Sequence, residues 1–427
     1  MGLRRQRFLL AVVGLLAWLA LASGSAAGET AGAPRVQRIT IGALLDLSAG
    51  WTTLGRASRV TLRLARNDAN ATFRRLGSQY RVRLLIADAA GDTAVALREL
   101  RRLARLGARV VIGPQPSSEV AAVRTEAKRL GVLVVSQGST AHSLAIAGDN
   151  VFRLVPDDVR EAEALDALLE RDGITAIAPI WRADPGNEGL ATSLRAEVAA
   201  RGGTVSSGVP YATENPDFAA ALAALRTQVE ALQAAAGADK VAVYLAAFDE
   251  VVDLFHVAQA DPVLSAVAWY GSDGVALSRA LIGDEAAATF AADAGYPNPV
   301  LGLDDTASPR SEDVVNRAAE RLGTAPDAFA LAAYDGLRVG VGASRAAIGR
   351  GTPFLRRAFA VRADGYRGVS GRIVLNEAGD RAFGTYDFWS VCTGAQGPVW
   401  TRTVSYLSTA LGVGTIVDRQ ACPAATG

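Results

Sequence analysis

Residues 109–145 read RVVIGPQPSSEVAAVRTEAKRLGVLVVSQGSTAHSLA. The stretch opens on a short apolar run, passes a Gly/Pro/Ser loop, continues with helical spacing from Ser117 to Leu130, and repeats the run and loop from Val132 to Thr140. It therefore reads strand, loop, helix, strand, loop. In a parallel α/β sheet, loops beyond the strand ends are where ligands bind. Hydroxyls and free amides at a helix start suit a carboxylate or another small anion.

The same alternation runs outward in both directions. Upstream, Ile39–Leu47, Arg81–Ala87 and Val110–Gly113 read as strands, separated by helices at Leu54–Phe73 and Thr93–Leu106. Val151–Val155 ends this series at Pro156, and the pattern restarts with a helix at Val159–Arg171. Strands at Ile174–Trp181, Thr204–Val209, Lys240–Ala246 and Ala266–Gly271 follow, with helices at Gly189–Ala200, Phe218–Ala236 and Glu250–Ala260 between them. Continuous apolar strands imply parallel sheets covered on both faces. The chain is thus an α/β protein with two doubly wound lobes. A Pro/Asn/Asp-rich loop spans Gly295–Pro309, helices follow at Glu312–Leu322 and Asp327–Ile348, and the C-terminal part reads as strands at Gly371–Leu375, Gly384–Val391 and Val399–Leu407.

Arg4, Arg5 and Arg7 precede an apolar run from Phe8 to Leu21, and Ser25 and Ala27 fit a small-residue cleavage site. This is the pattern of a secretory signal peptide over residues 1–27. Cleavage after Ala27 leaves 400 of the 427 residues. No Cys follows the run, so we expect a soluble exported protein without a lipid anchor. Lys+Arg 44 against Asp+Glu 43 leaves no electrostatic footprint for nucleic acid or for an anionic membrane. Cys392 and Cys422 are the only cysteines. In an oxidising compartment they are expected to pair, two separate buried thiols being the alternative.

Catalytic and metal motifs are missing. His142 and His256 lie far apart without ligand partners at useful spacing, and there is no P-loop, G-x-S-x-G or H-E-x-x-H. GVGAS at Gly340–Ser344 lies inside a helical stretch and reads as helix packing through small residues. No cofactor, metal or catalytic residue is expected.

IGALLDLSAGWTTLG, VVIGPQPSSEVAA, VLVVSQGSTAHSLA, NVFRLVPDD, WRADPGNEGLA, VYLAAFDE, YGSDGV and AYDGLRVG occur in that order. Taken together they resemble the type I periplasmic binding proteins, in particular the leucine/isoleucine/valine-binding branch of ABC-importer receptors. The resemblance implies two lobes joined by three crossings, near Pro156, Asp304 and Gly368. Lobe 1 would be 36–155 plus 304–365, lobe 2 would be 156–303 plus 366–395, and 396–427 a C-terminal extension. It implies a ligand carboxylate held by Ser117, Ser139 and Thr140, with Ser118 as a neighbour, although Ser117 or Ser118 also fits a helix cap. Asp273 in YGSDGV would take an ammonium group, with ordinary Asp-Gly turn chemistry as the alternative. Phe248, Trp51 and Trp181 would line the pocket. Pro185 stands where relatives commonly carry a ligand-touching Tyr, and Leu54 where an aromatic is frequent, so the ligand's side-chain half is unassigned.

The implied function is capture of an amino acid or related small carboxylate or amide, delivered by a monomer to a membrane permease of an ABC importer. A sensory receptor of the same fold that signals to a partner protein is the alternative. An exported enzyme would need a nucleophile and base in the cleft, such as His142 within reach of Ser117 or Thr140. A DNA-binding repressor of related fold is disfavoured, because a secretion signal stands where its DNA-binding helices would be.

Overall fold

The computed structural model describes residues 36–48, 50–302, 309–394, 397–409 and 412–422. The signal peptide expected over 1–27, and the crossing expected near Asp304, lie outside these residues.

Lobe 1 alternates β1 (Gln37–Leu45), α1 (Thr52–Arg75), β2 (Tyr80–Asp88), α2 (Thr93–Arg105), β3 (Val110–Ile112), α3 (Ser117–Leu130), β4 (Leu133–Ser136) and β5 (Val151–Arg153). The strands form one parallel sheet in the order β2-β1-β3-β4-β5. The order reverses between β1 and β3, and a crevice opens outside their carboxyl ends. β3 stops sharply at Gly113. A Cβ there would overlap the Leu44 carbonyl, and φ is +86°, a region that favours glycine.

Lobe 2 repeats the plan with α4 (Asp158–Arg171), β6 (Ala176–Arg182), α5 (Pro185–Ala200), β7 (Thr204–Val205), β8 (Val209–Tyr211), α6 (Phe218–Ala236), β9 (Val241–Ala246), α7 (Val251–Ala258), β10 (Ala268–Tyr270), α8 (Arg279–Gly283) and α9 (Glu285–Asp293). Its sheet runs β10-β9-β6-β7, with β8 also beside β6, and the order reverses between β6 and β9. The strand expected over Thr204–Val209 is two short strands. Gly208 separates them at φ +76°, where a Cβ would strike the Trp181 ring.

The chain then runs through β11 (Asn298–Leu301), α10 (Pro309–Leu322), α11 (Ala328–Ala346), α12 (Thr352–Ala363), the hairpin β12 (Arg367–Gly368) and β13 (Gly371–Arg372), and finally β14 (Tyr386–Gly394), β15 (Gly397–Thr409) and β16 (Gly412–Asp418). α11 is buried along most of its length because it is built from Ala and Gly; Gly340 of the GVGAS stretch lies against Val110 and Ile41. β11, β14, β15 and β16 make one antiparallel sheet, so residues 397–409 and 412–418 share a sheet with 386–394. Tyr386, Phe388, Val404 and Tyr406 pack into the same apolar cluster as Leu165, Ile177 and Leu194 of lobe 2. Among the described residues, no helix is long and apolar enough to cross a membrane.

Cys392 and Cys422 form a disulfide, with Cα atoms 5.3 Å apart and a sequence separation of 30. It ties the tail beyond β16 to β14. Closing a loop of that length constrains the unfolded chain by about 3–4 kcal/mol in the loop-entropy picture. Replacing both cysteines with Ala is therefore expected to lower the unfolding free energy by about 2–4 kcal/mol in urea titrations, with the fold retained.

Candidate functional site

The reversal points of the two sheets face each other, and their loops supply the site. From lobe 1 come the loops after β1, β3 and β4, and from lobe 2 those after β6, β9 and β10. Trp51, Ser117, Gly138 and Thr140 face Asp184, Gly186, Asn187, Leu190, Phe248 and Asp273 across a narrow gap. The lobes meet so closely that the space is about 10 Å³, room for one water molecule.

The lobe 1 wall is a knitted set of hydroxyls. Ser117 Oγ lies 3.0 Å from Ser139 Oγ and accepts from the Ala141 amide at 3.3 Å. Ser136 Oγ donates to the Pro114 carbonyl at 2.6 Å and accepts from the Ser139 amide at 3.0 Å. Thr140 lines the gap, Ser139 sits behind it, and Ser118 is half-buried on α3 away from the lining. Beneath the loop lies Arg153, which is 0% exposed. Its Nη1 donates to the carbonyls of Ala141 at 2.6 Å and Ser139 at 3.4 Å, while Nε and Nη2 grip Asp380 at 2.8 and 2.6 Å.

The lobe 2 wall carries charge. Asp184 caps α5, accepting from the Gly186 and Asn187 amides, with Pro185 at the first helical turn. Asn187 Nδ2 donates to the other Asp184 oxygen at 2.8 Å, which leaves its buried Oδ1 without a partner among the described residues. Arg182 pairs with Asp184 at 3.1 Å and Glu250 at 3.5 Å, its guanidinium 5.5 Å from the Phe248 ring centre. Phe248 meets Trp51 of lobe 1 edge to face at 4.7 Å, an aromatic contact between the lobes. The buried Trp51 Nε1 has no acceptor among the described residues.

Asp273 is buried at the end of β10, and its amide donates to Glu161 Oε1 at 3.2 Å. Asp158 is buried at the start of α4, close under Gly189. Burial, reinforced by the Asp158 charge, raises the Asp273 carboxyl well above the ordinary carboxylate range. Glu161 is raised by burial and then by Asp273 and Asp158. Burial pushes Asp158 up to about 7, against opposing help from Thr140 and Arg153. No cluster of His, Cys, Asp and Glu among the described residues is arranged to hold a metal.

Of the residues singled out in the sequence, Ser117, Thr140, Asp273, Phe248 and Trp51 line one space. Trp181 does not. Its ring packs against Gly208 and the apolar cluster of lobe 2, because β6 turns it toward the core there. His142 turns outward to Asp157, with Nδ1–Oδ2 at 2.8 Å, and no hydrogen bond joins its ring to Ser117 or Thr140 among the described residues. Sequence reading missed Asp184, Asn187, Arg153, Asp158 and Glu161 as site residues. Asp184-Pro185 carried a readable helix-start signature; the rest had no local signal.

The family model for periplasmic binding proteins matches residues 38–394. The chain belongs to the periplasmic binding protein family. Among solved structures, this binding protein is similar to the LivJ substrate-binding protein of Streptococcus pneumoniae in complex with isoleucine (TM-score 0.69, 19% identity, 83% of this chain and 96% of that one). It is also similar to the leucine-binding protein LivK of Thermotoga maritima (0.69, 18%, 85% and 97%), and to a solute-binding protein of R. palustris in complex with benzoate (0.65, 18%, 90% and 99%). A relative at 25% identity over 378 residues, covering 83% of this chain and 87% of that protein, is an uncharacterized protein of Methanocaldococcus jannaschii.

Two outcomes are expected of the binding protein itself. Arg153→Met leaves Asp380 buried and unpaired, and should cost about 3–5 kcal/mol in urea unfolding. The second concerns pH. Carboxyls whose folded pKa lies above the unfolded value of about 4 stabilise the fold fully below that value, and this is lost as pH rises through the raised values. Asp158, at about 7, places its share of that loss between about pH 5 and pH 8, alongside Asp273 and Glu119, which burial raises further. The melting temperature without ligand should fall from about pH 5 to about pH 8, and Asp158→Asn should flatten the fall. A melting temperature that climbs across that window contradicts the assignment.

Proposed function

We propose that this chain is an extracytoplasmic solute-binding protein that captures an amino acid, or a related small carboxylate or amide, between its lobes and delivers it to the permease of an ABC importer. What carries this reading is the pairing of unlike walls: hydroxyl donors Ser117 and Thr140 on one lobe, the Asp273 carboxyl on the other. Hydroxyls and the amides of the first turn of α3 suit a ligand carboxylate. An ionised Asp273 suits an ammonium group. The gap is too narrow for a solute in the closed arrangement, so the lobes part to admit it and close by hinge bending. Closure then excludes water and strengthens each polar contact. Trp51 Nε1 and Asn187 Oδ1, without partners among the described residues, are a donor and an acceptor for the rest of the ligand. The resemblance to the LivJ and LivK proteins supports the amino-acid reading, and the benzoate complex supports small carboxylates more widely.

The buried acids make the two ligand classes separable. A cationic ammonium needs Asp273 ionised, so its binding tightens as pH rises. A neutral amide accepts a hydrogen bond from protonated Asp273, so its binding tightens as pH falls. The test is a thermal-shift screen of amino acids, amides and small carboxylates, followed by calorimetry from about pH 5.5 to pH 8.5. A ligand at a hundred times its Kd adds about 2.7 kcal/mol. For an amino-acid ligand, Asp273→Asn is expected to weaken binding by about 30-fold or more. A screen in which no compound shifts the melting temperature would sink the proposal.

A further inference from the structure

We propose a second binding site, separate from the cleft, in the groove where α1 and α8 overhang the β14–β15 hairpin, and we infer that it takes an amphipathic anion with a flat apolar body, such as an aromatic carboxylate. The groove encloses about 750 Å³ and runs into a hollow of about 530 Å³ that shares Trp389 and Trp400. That is the size of a small-molecule site, and far larger than the closed cleft.

Its chemistry is two-sided. Trp389 and Trp400 line its apolar part, and each is anchored in a different core, Trp389 against lobe 1 and Trp400 against lobe 2. The Trp400 indole is fixed by donation from Nε1 to the Ser278 carbonyl at 2.9 Å. Arg56 and Arg59, one turn apart on α1, and Arg279 on α8 supply positive charge. Arg56 is exposed and Arg59 half-buried on that wall. The acids along the groove are already engaged: Asp327 caps α11 through the Ala330 amide, and Asp387 holds Arg402 and Ser405. Among the described lining residues the surplus charge is therefore positive. Guanidinium groups pair with carboxylates in a forked geometry, and indole faces accept flat apolar groups.

Leu277, on the same groove, has φ +64°, a left-handed conformation that a branched side chain rarely adopts. Backbone held in such a state clusters at binding sites, where packing over-determines it. An occupant would touch both lobes at once, yet would share no described lining residue with the narrow gap at Asp273.

The probe is 2-naphthoate, titrated calorimetrically into the full chain, with 2-naphthylmethanol as its uncharged counterpart. Four results are expected: one naphthoate per chain; at least tenfold weaker binding of the alcohol; at least tenfold weaker naphthoate binding by Arg56→Gln/Arg59→Gln, both surface changes on α1; and unchanged binding by Thr140→Ala/Asp273→Asn. No naphthoate binding, full affinity in the arginine variant, or loss of binding in the cleft variant would each overturn the second site. Because the cleft variant is read separately, that failure is distinguishable from a failure of the cleft assignment.

Discussion

A buried guanidinium organises the lobe 1 half of the cleft. Arg153 leaves β5 with its side chain fully enclosed, and spends its donors on two loop carbonyls and one carboxylate. A charge in that position is tolerable only when it is paired and hydrogen-bonded throughout. Asp380, contributed from far down the chain, completes the pairing. The result is a loop from Ser139 to Ala141 whose carbonyls are drawn downward, with the Ala141 amide turned onto Ser117. The hydroxyls at the gap are thus fixed by a network with little freedom left.

The facing lobe is built on the opposite principle. Asp158, Glu161 and Asp273 crowd a buried space with fewer hydrogen bonds than their oxygens need; Asp158 Oδ1 and Glu161 Oε2 lack partners among the described residues. Burial and mutual repulsion raise all three carboxyls above the ordinary carboxylate range. One wall therefore carries fixed hydroxyls, while the other carries carboxyls raised by burial. The Trp51–Phe248 contact joins the walls and gives closure an apolar component as well.

Much of this was legible in the chain. Helix α3 was readable to the residue, from Ser117 to Leu130, because its spacing is regular and Pro116 and Gly131 bound it. Five of the expected ligand contacts line one space because they sit on loops after strands, and a parallel sheet gathers those loops at one end. Other elements were not legible. α8, α9 and α12 were passed over, since their sequences are short or weakly amphipathic. Trp181 was misplaced because alternation along a buried strand does not say which face meets the cleft and which meets the core.

The sequence by itself determined the βα alternation, the two lobes and the polar loops, because hydrophobic period, helix caps and turn residues act over a few neighbouring positions. Tertiary structure alone decided which groups share an environment. Glu161 meets Asp273 across 112 residues, and Arg153 meets Asp380 across 227. Protonation of the acid cluster, rigidity of the hydroxyl loop and the arginine-lined groove all arise from such distant meetings. Charge, burial and dielectric are properties of a place in the folded chain, and no local pattern of residues encodes that place.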